Sequence, residues 1–130
     1  MKQIIATVLS IISCAAFASD VRHVNVRDVA LDPAKFMGST ISIHGCLVFN
    51  IHGTFVWPCG SSDWHELILI EDPTYELAPR AFEQLGLDYS KQVEADFRGV
   101  VVQRHVDLPT PGIRYFLALE SITDPAPHEP

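Results

Sequence analysis

The chain has 130 residues, 9 Lys and Arg against 16 Asp and Glu, a formal charge of -7, and 48% hydrophobic and 19% charged residues. That length argues for one domain, the apolar share excludes a disordered chain, and no apolar run reaches the roughly 18 residues of a membrane span. The excess of acid argues against a partner held by phosphate neutralisation, because such surfaces concentrate Lys and Arg, so no nucleic acid is expected.

Residues 1–18 read as a secretory signal peptide. Lys2 precedes the apolar stretch Ile4 to Ile12, broken only by Thr7 and Ser10, and Ala16-Phe17-Ala18 offers small residues at the two positions a signal peptidase reads. Cleavage after Ala18 expects a periplasmic or secreted protein and removes Lys2 but no acid, which moves the formal charge from -7 to -8. A second reading uses the same residues: Ile11-Ile12-Ser13-Cys14 resembles a bacterial lipoprotein box, with Cys14 as the lipidated anchor.

Either route takes Cys14 out of the thiol count and leaves Cys46 and Cys59, and two cysteines in an exported chain predict a disulfide. If Asn50 pairs with Phe55 around an Ile51–Thr54 loop, Cys46 lies opposite Cys59 across a hairpin. Closing so short a loop stabilises by about 3 kcal/mol in the chain-entropy account. The competing reading is a metal site drawn from His44, Cys46, His52, Cys59 and His65. No C-x-x-C or H-x-x-x-H spacing supports it, so neither metal nor cofactor is expected.

In chain order, residues 28–36 read as a short helix, with Asp32 placed to cap and Pro33 at a first helical position. Ile41 to Phe49 alternates as a strand interrupted by Gly45, Thr54 to Cys59 is a second strand, and His65 to Glu71 is a third, apolar enough to be buried on both faces. Pro79 to Leu85 is a short helix stopped by Gly86. Gln92 to His105 is a long fourth strand, whose apolar alternation changes phase at Gly99 as a bulge would produce. After the turn 107–112, Arg114 to Ile122 is a fifth strand, and residues 124–130, rich in proline, form a tail beyond a single domain at 19–123.

Three strands, a helix and two strands is the order of the OB-fold, a five-stranded, partly open Greek-key β-barrel. Residues 33–45, Pro-Ala-Lys-Phe-Met-Gly-Ser-Thr-Ile-Ser-Ile-His-Gly, resemble the opening of small exported bacterial OB-fold proteins. The resemblance implies binding and supplies no catalytic motif to carry over.

Catalytic signatures are otherwise missing: there is no G-x-S-x-G, H-E-x-x-H, P-loop or S-x-x-K, and no enzyme is expected. The carboxylate pairs Glu71-Asp72 and Glu94 with Asp96 read as solvated strand positions. Recognition in OB-folds commonly uses the second and third strands with two adjoining loops. Here those regions hold Asn50, His52, Phe55, Trp57, Trp64, His65, Arg104, His105 and the 107–112 loop. Trp and Arg often anchor interfaces. The function expected is a non-enzymatic periplasmic module that binds a basic protein or peptide through an acidic surface, an inhibitor or immunity protein being one form. The alternative is a small cationic ligand, an oligosaccharide or a metal, held in a concave aromatic pocket around Trp57, Trp64 and Tyr115.

Overall fold

The computed structural model describes residues 21–51, 53–107 and 111–129, so the signal peptide with Cys14, His52 and part of the 107–112 turn lie outside the described residues. The fold is mainly β. Strands β1 (Arg22–Asn25), β2 (Thr40–Asn50), β3 (Gly53–Trp57), β4 (Ile68–Glu71), β5 (Gln92–Val106) and β6 (Gly112–His128) form one sheet. Helices α1 (Val26–Leu31) and α2 (Leu77–Gln84) and 3-10 turns at Pro33–Phe36 and Trp64–Glu66 complete the described elements.

β2 organises the sheet. Its residues Ile41 to His44 pair in parallel with β1, Cys46 to Asn50 pair antiparallel with β3, and Thr40 to Leu47 pair antiparallel with β5 on the opposite side. β3 pairs with β4, β4 lies parallel to β6, and β6 pairs antiparallel with β5. Pairing therefore runs β2, β3, β4, β6, β5 and returns to β2. Gly45 sits where one edge of β2 passes from β1 to β3. A Cβ there would lie 2.7 Å from both the Trp57 carbonyl oxygen and Val56 Cγ1, so the crossing needs a residue without a side chain.

The alternation of β2 and β5 explains the core. Ile41, Ile43 and Leu47 join Val93, Ala95, Phe97 and Val101 in the core, and Phe82 of α2 packs in the same cluster with no exposed surface. β5 keeps this odd-numbered alternation through Gly99, so the expected change of phase there does not occur. The irregularities lie on the partner strand: Arg98 pairs with Ser121 and Gly99 with Leu119, leaving Glu120 as the extra residue. Gly99 is instead a point of close approach, since a Cβ would come 2.2 Å from the Ala118 carbonyl oxygen.

Four further expectations change. The 124–130 segment does not leave the domain as a tail, because β6 continues to His128, opposite Gln92. Pro125 and Pro127 are tolerated because this end of β6 has only β5 as a registered partner among the described residues, and proline is compatible with an edge. The 28–36 helix is two pieces: Asn25 caps α1, accepting the Arg27 N–H at 2.9 Å, and Asp32 makes no side-chain cap to the following turn. The third strand is shorter, because Trp64–Glu66 is a 3-10 turn started by the Asp63 side chain. α2 begins two residues early and stops at Gly86, whose φ is +67°.

The hairpin register also differs. Phe55 pairs with Val48 and Asn50 with Gly53, so Cys46 lies opposite Trp57 and not Cys59. Cys59, two residues past Trp57, reaches Cys46 diagonally. The Cys46–Cys59 disulfide forms with a Cα–Cα distance of 5.0 Å. Among the described residues, no helix is long and apolar enough to cross a membrane.

Candidate functional site

The residues expected to bind divide into separate groups. Phe55, Trp57 and Trp64 come together, with Phe55 ring centroids 5.2 Å from Trp57 and 5.3 Å from Trp64, and 6.1 Å between the two indoles. Phe55 is buried beneath them and stands outside the main core cluster. Trp57 is half-buried and its Nε1–H donates to Gln92 Oε1 at 3.4 Å. Trp64 remains 59% exposed, which makes it the accessible member of the group. Tyr115 does not complete an aromatic pocket with them. It lines a different recess, with Ala30, Pro33 and Ile113.

His65 stands beside this cluster, exposed, with both its backbone N–H and its ring directed to Asp63. The backbone bond is the main reason the Asp63 carboxyl is held below its ordinary range, the ring bond the second. His105 pairs with Asp107 at 3.2 Å in solvent, and Asn50 is exposed at the hairpin end opposite Gly53.

Arg104 leads to a second feature. Its guanidinium grips Glu71 in two-pronged fashion, Nε to Oε2 at 2.8 Å and Nη2 to Oε1 at 2.9 Å. Glu71 stands at the rim of a half-open recess of about 500 Å³, with Phe49, Ile70 and Phe116 among its apolar lining and Asp72 and Tyr75 at its polar side. The sheet register builds this recess, because Glu71 pairs with Ala118 and Leu69 with Phe116 across the parallel β4–β6 contact. Asp72 Oδ2 accepts the Ala78 N–H at 2.9 Å and so ties α2 to the same wall. Tyr75 holds φ at 59° and is 86% exposed at the mouth. Phe49 anchors the wall to the core through Phe82, at a centroid distance of 6.3 Å, and is flanked by the exposed ring of Tyr89 at 4.8 Å.

A third cluster lies on the outer face of β2, β5 and β6. His44 contacts Glu94 Oε2 through Nε2 at 2.8 Å and Asp96 Oδ1 through Nδ1 at 2.9 Å. His128 Nδ1 contacts the other oxygen of Glu94 at 3.1 Å. The hydrogen bond to Glu94, then that to Asp96, raises the His44 pKa above its ordinary value, and the same His44 bond, followed by that of His128, lowers Glu94. Ligand atoms of Cys46, Cys59, Glu94 and His128 all lie within 4.8 Å of one another. Of the four described residues among those weighed from sequence for a metal, the two cysteines belong to this group and His44 and His65 do not, and no sequence spacing could have brought Glu94 and His128 to them.

No family model, no curated protein and no solved structure matches the chain.

Proposed function

We propose that this protein is an exported, non-enzymatic binding module with the OB-fold barrel topology, and that it takes a basic, partly apolar peptide or protein segment in the recess beside Glu71. The topology is supported by the pairing circuit β2, β3, β4, β6, β5, with α2 between its third and fourth strands in chain order and the parallel contact between β4 and β6. On this reading β1 is an added strand on the barrel. Export is supported by the disulfide, which persists in oxidising compartments.

The observation that carries the function is the recess itself. An apolar floor of Phe49, Ile70 and Phe116 beneath Glu71 and Asp72 suits a side chain with an aliphatic stem and a cationic head, as Lys and Arg have. The formal charge of -7 favours approach of a basic partner and raises its association rate. A basic toxin or hydrolase, held by an immunity protein or inhibitor, is one partner of this chemistry.

Fluorescence polarisation with short Lys- and Arg-bearing apolar peptides tests the reading, acidic peptides of equal hydrophobicity serving as controls. Basic peptides should bind, added salt should weaken them, and Thr54→Arg, which projects a cation at the recess wall, should cut affinity by about tenfold or more, since a misplaced like charge costs over a kcal/mol. Equal binding of acidic peptides, or full affinity in Thr54→Arg, would count against it.

A further inference from the structure

We propose that Cys46, Cys59, Glu94 and His128 form a zinc site that exists only when the disulfide is reduced. This inference stands apart from the peptide-binding reading. Two sulfurs, an imidazole and a carboxylate are the donor types of a closed tetrahedral zinc site. In the oxidised chain the sulfurs are bonded to each other and cannot act as thiolate ligands, yet the donor atoms of all four residues already lie within 4.8 Å. A tetrahedral zinc with sulfur bonds of about 2.3 Å places its two sulfurs about 3.8 Å apart, so the bonded sulfurs must separate, whereas Glu94 Oε1 and His128 Nδ1 already lie 3.1 Å apart, close to the roughly 3.3 Å that bonds of about 2.0 Å require.

The surroundings favour that rearrangement. Cys46 is fixed in mid-strand by pairing with both Trp57 and Glu94, whereas Cys59 lies beyond the end of β3, followed by Gly60 at φ +86°. A recess of about 310 Å³ lined by Gly60, Ser61, Gln92 and His128 opens beside the group and gives an ion a route in. Glu94 is already oriented. Its Oε2 is held by His44, which is held in turn by Asp96, and Oε1 faces His128. Outer partners of this kind fix ligand direction at metal centres.

The chemistry balances with a dithiol as reductant. It supplies two electrons and two protons, the Sγ–Sγ bond breaks to give two thiols, and the reductant closes its own disulfide. Zinc then takes both sulfurs as thiolates, and the two thiol protons pass to solvent.

The experiment uses the full chain carrying Cys14→Ser, oxidised or reduced, titrated with Zn²⁺ against a chromogenic chelator and with Co²⁺ as a spectroscopic substitute. The reduced protein should bind one equivalent and give a thiolate-to-cobalt absorption band, while the oxidised protein gives neither. Glu94→Gln and His128→Ala should each weaken zinc binding by at least about tenfold, and His44→Ala by about 10- to 100-fold as an outer partner. If reduction unfolds the domain, zinc should restore its circular-dichroism spectrum. The proposal is overturned by a reduced chain that stays unfolded with zinc, by cobalt binding without the thiolate band, or by unchanged zinc affinity in both Glu94→Gln and His128→Ala.

Discussion

His44 Nε2 lies 2.8 Å from Glu94 Oε2, and this contact favours the charged form of the ring. Because Nδ1 is simultaneously 2.9 Å from Asp96, only the doubly protonated imidazolium can donate to both carboxylates. His44 therefore titrates above its ordinary 6.5 and Glu94 below its ordinary 4.5. The raised histidine contributes stability that is complete below about pH 6.5 and fades as pH climbs through the folded-state value. The lowered carboxylate contributes above about pH 4.5 and fades as pH falls through its folded-state value. Both contributions are complete only between those limits. Thermal unfolding of wild type against His44→Gln should show its largest difference in that window, shrinking at higher pH. NMR titration should place the His44 midpoint above 6.5 in wild type and nearer 6.5 in Glu94→Gln. A wild-type midpoint at or below 6.5 would refute the arrangement.

Gly99→Ala should destabilise by about 1–3 kcal/mol or more, because the new methyl meets the Ala118 backbone, which cannot turn aside as a side chain could. Urea unfolding is the measurement. A loss below about 0.5 kcal/mol, the size of an ordinary surface change, would show that β5 and β6 are not packed as described.

Reduction of Cys46–Cys59 in the absence of metal should lower unfolding free energy by about 3 kcal/mol, the value expected for a loop of this length, here a sequence separation of 13. Denaturant curves with and without a reductant read this directly. No change would mean that the hairpin register is set by the β2–β3 ladder alone.

Arg104→Ala separates two roles for one residue. The ion pair with Glu71 is largely exposed and screened by solvent, so its loss should leave stability nearly unchanged. Since the guanidinium also neutralises Glu71 at the recess, its removal should strengthen basic-peptide binding several-fold. An Arg104 that anchors ligand, as the sequence alone suggests, predicts the opposite sign in the same polarisation assay.

Sequence patterning found most strands, the second helix and the disulfide partners, because apolar alternation, Pro79, Gly86 and cysteine arithmetic are local signals, while the first helix was read as one piece and is two. It missed β1, where Val24 is the only partly buried member of Arg22–Asn25 and the strand exists through its pairing with β2. It misread Gly99, since Val100 and Val102, half-buried on the outer face, imitate a change of phase. The recess and the cysteine–histidine group were illegible for a related reason. Phe49 meets Phe116, and Cys46 meets His128, only after long-range pairing has closed, and no spacing along the chain encodes that closure.

The pairing circuit that returns to β2 also has a consequence for solubility. That circuit pairs the middle of the sheet on both sides, and the edges it leaves among the described residues include β1 and the end of β6 beyond Ala118. The first carries exposed Arg22, His23 and Asn25, the second Pro125 and Pro127, and charge and proline are both obstacles to strand addition. The protein thus guards these two borders against edge-to-edge aggregation with the residues that made those segments look unlike strands.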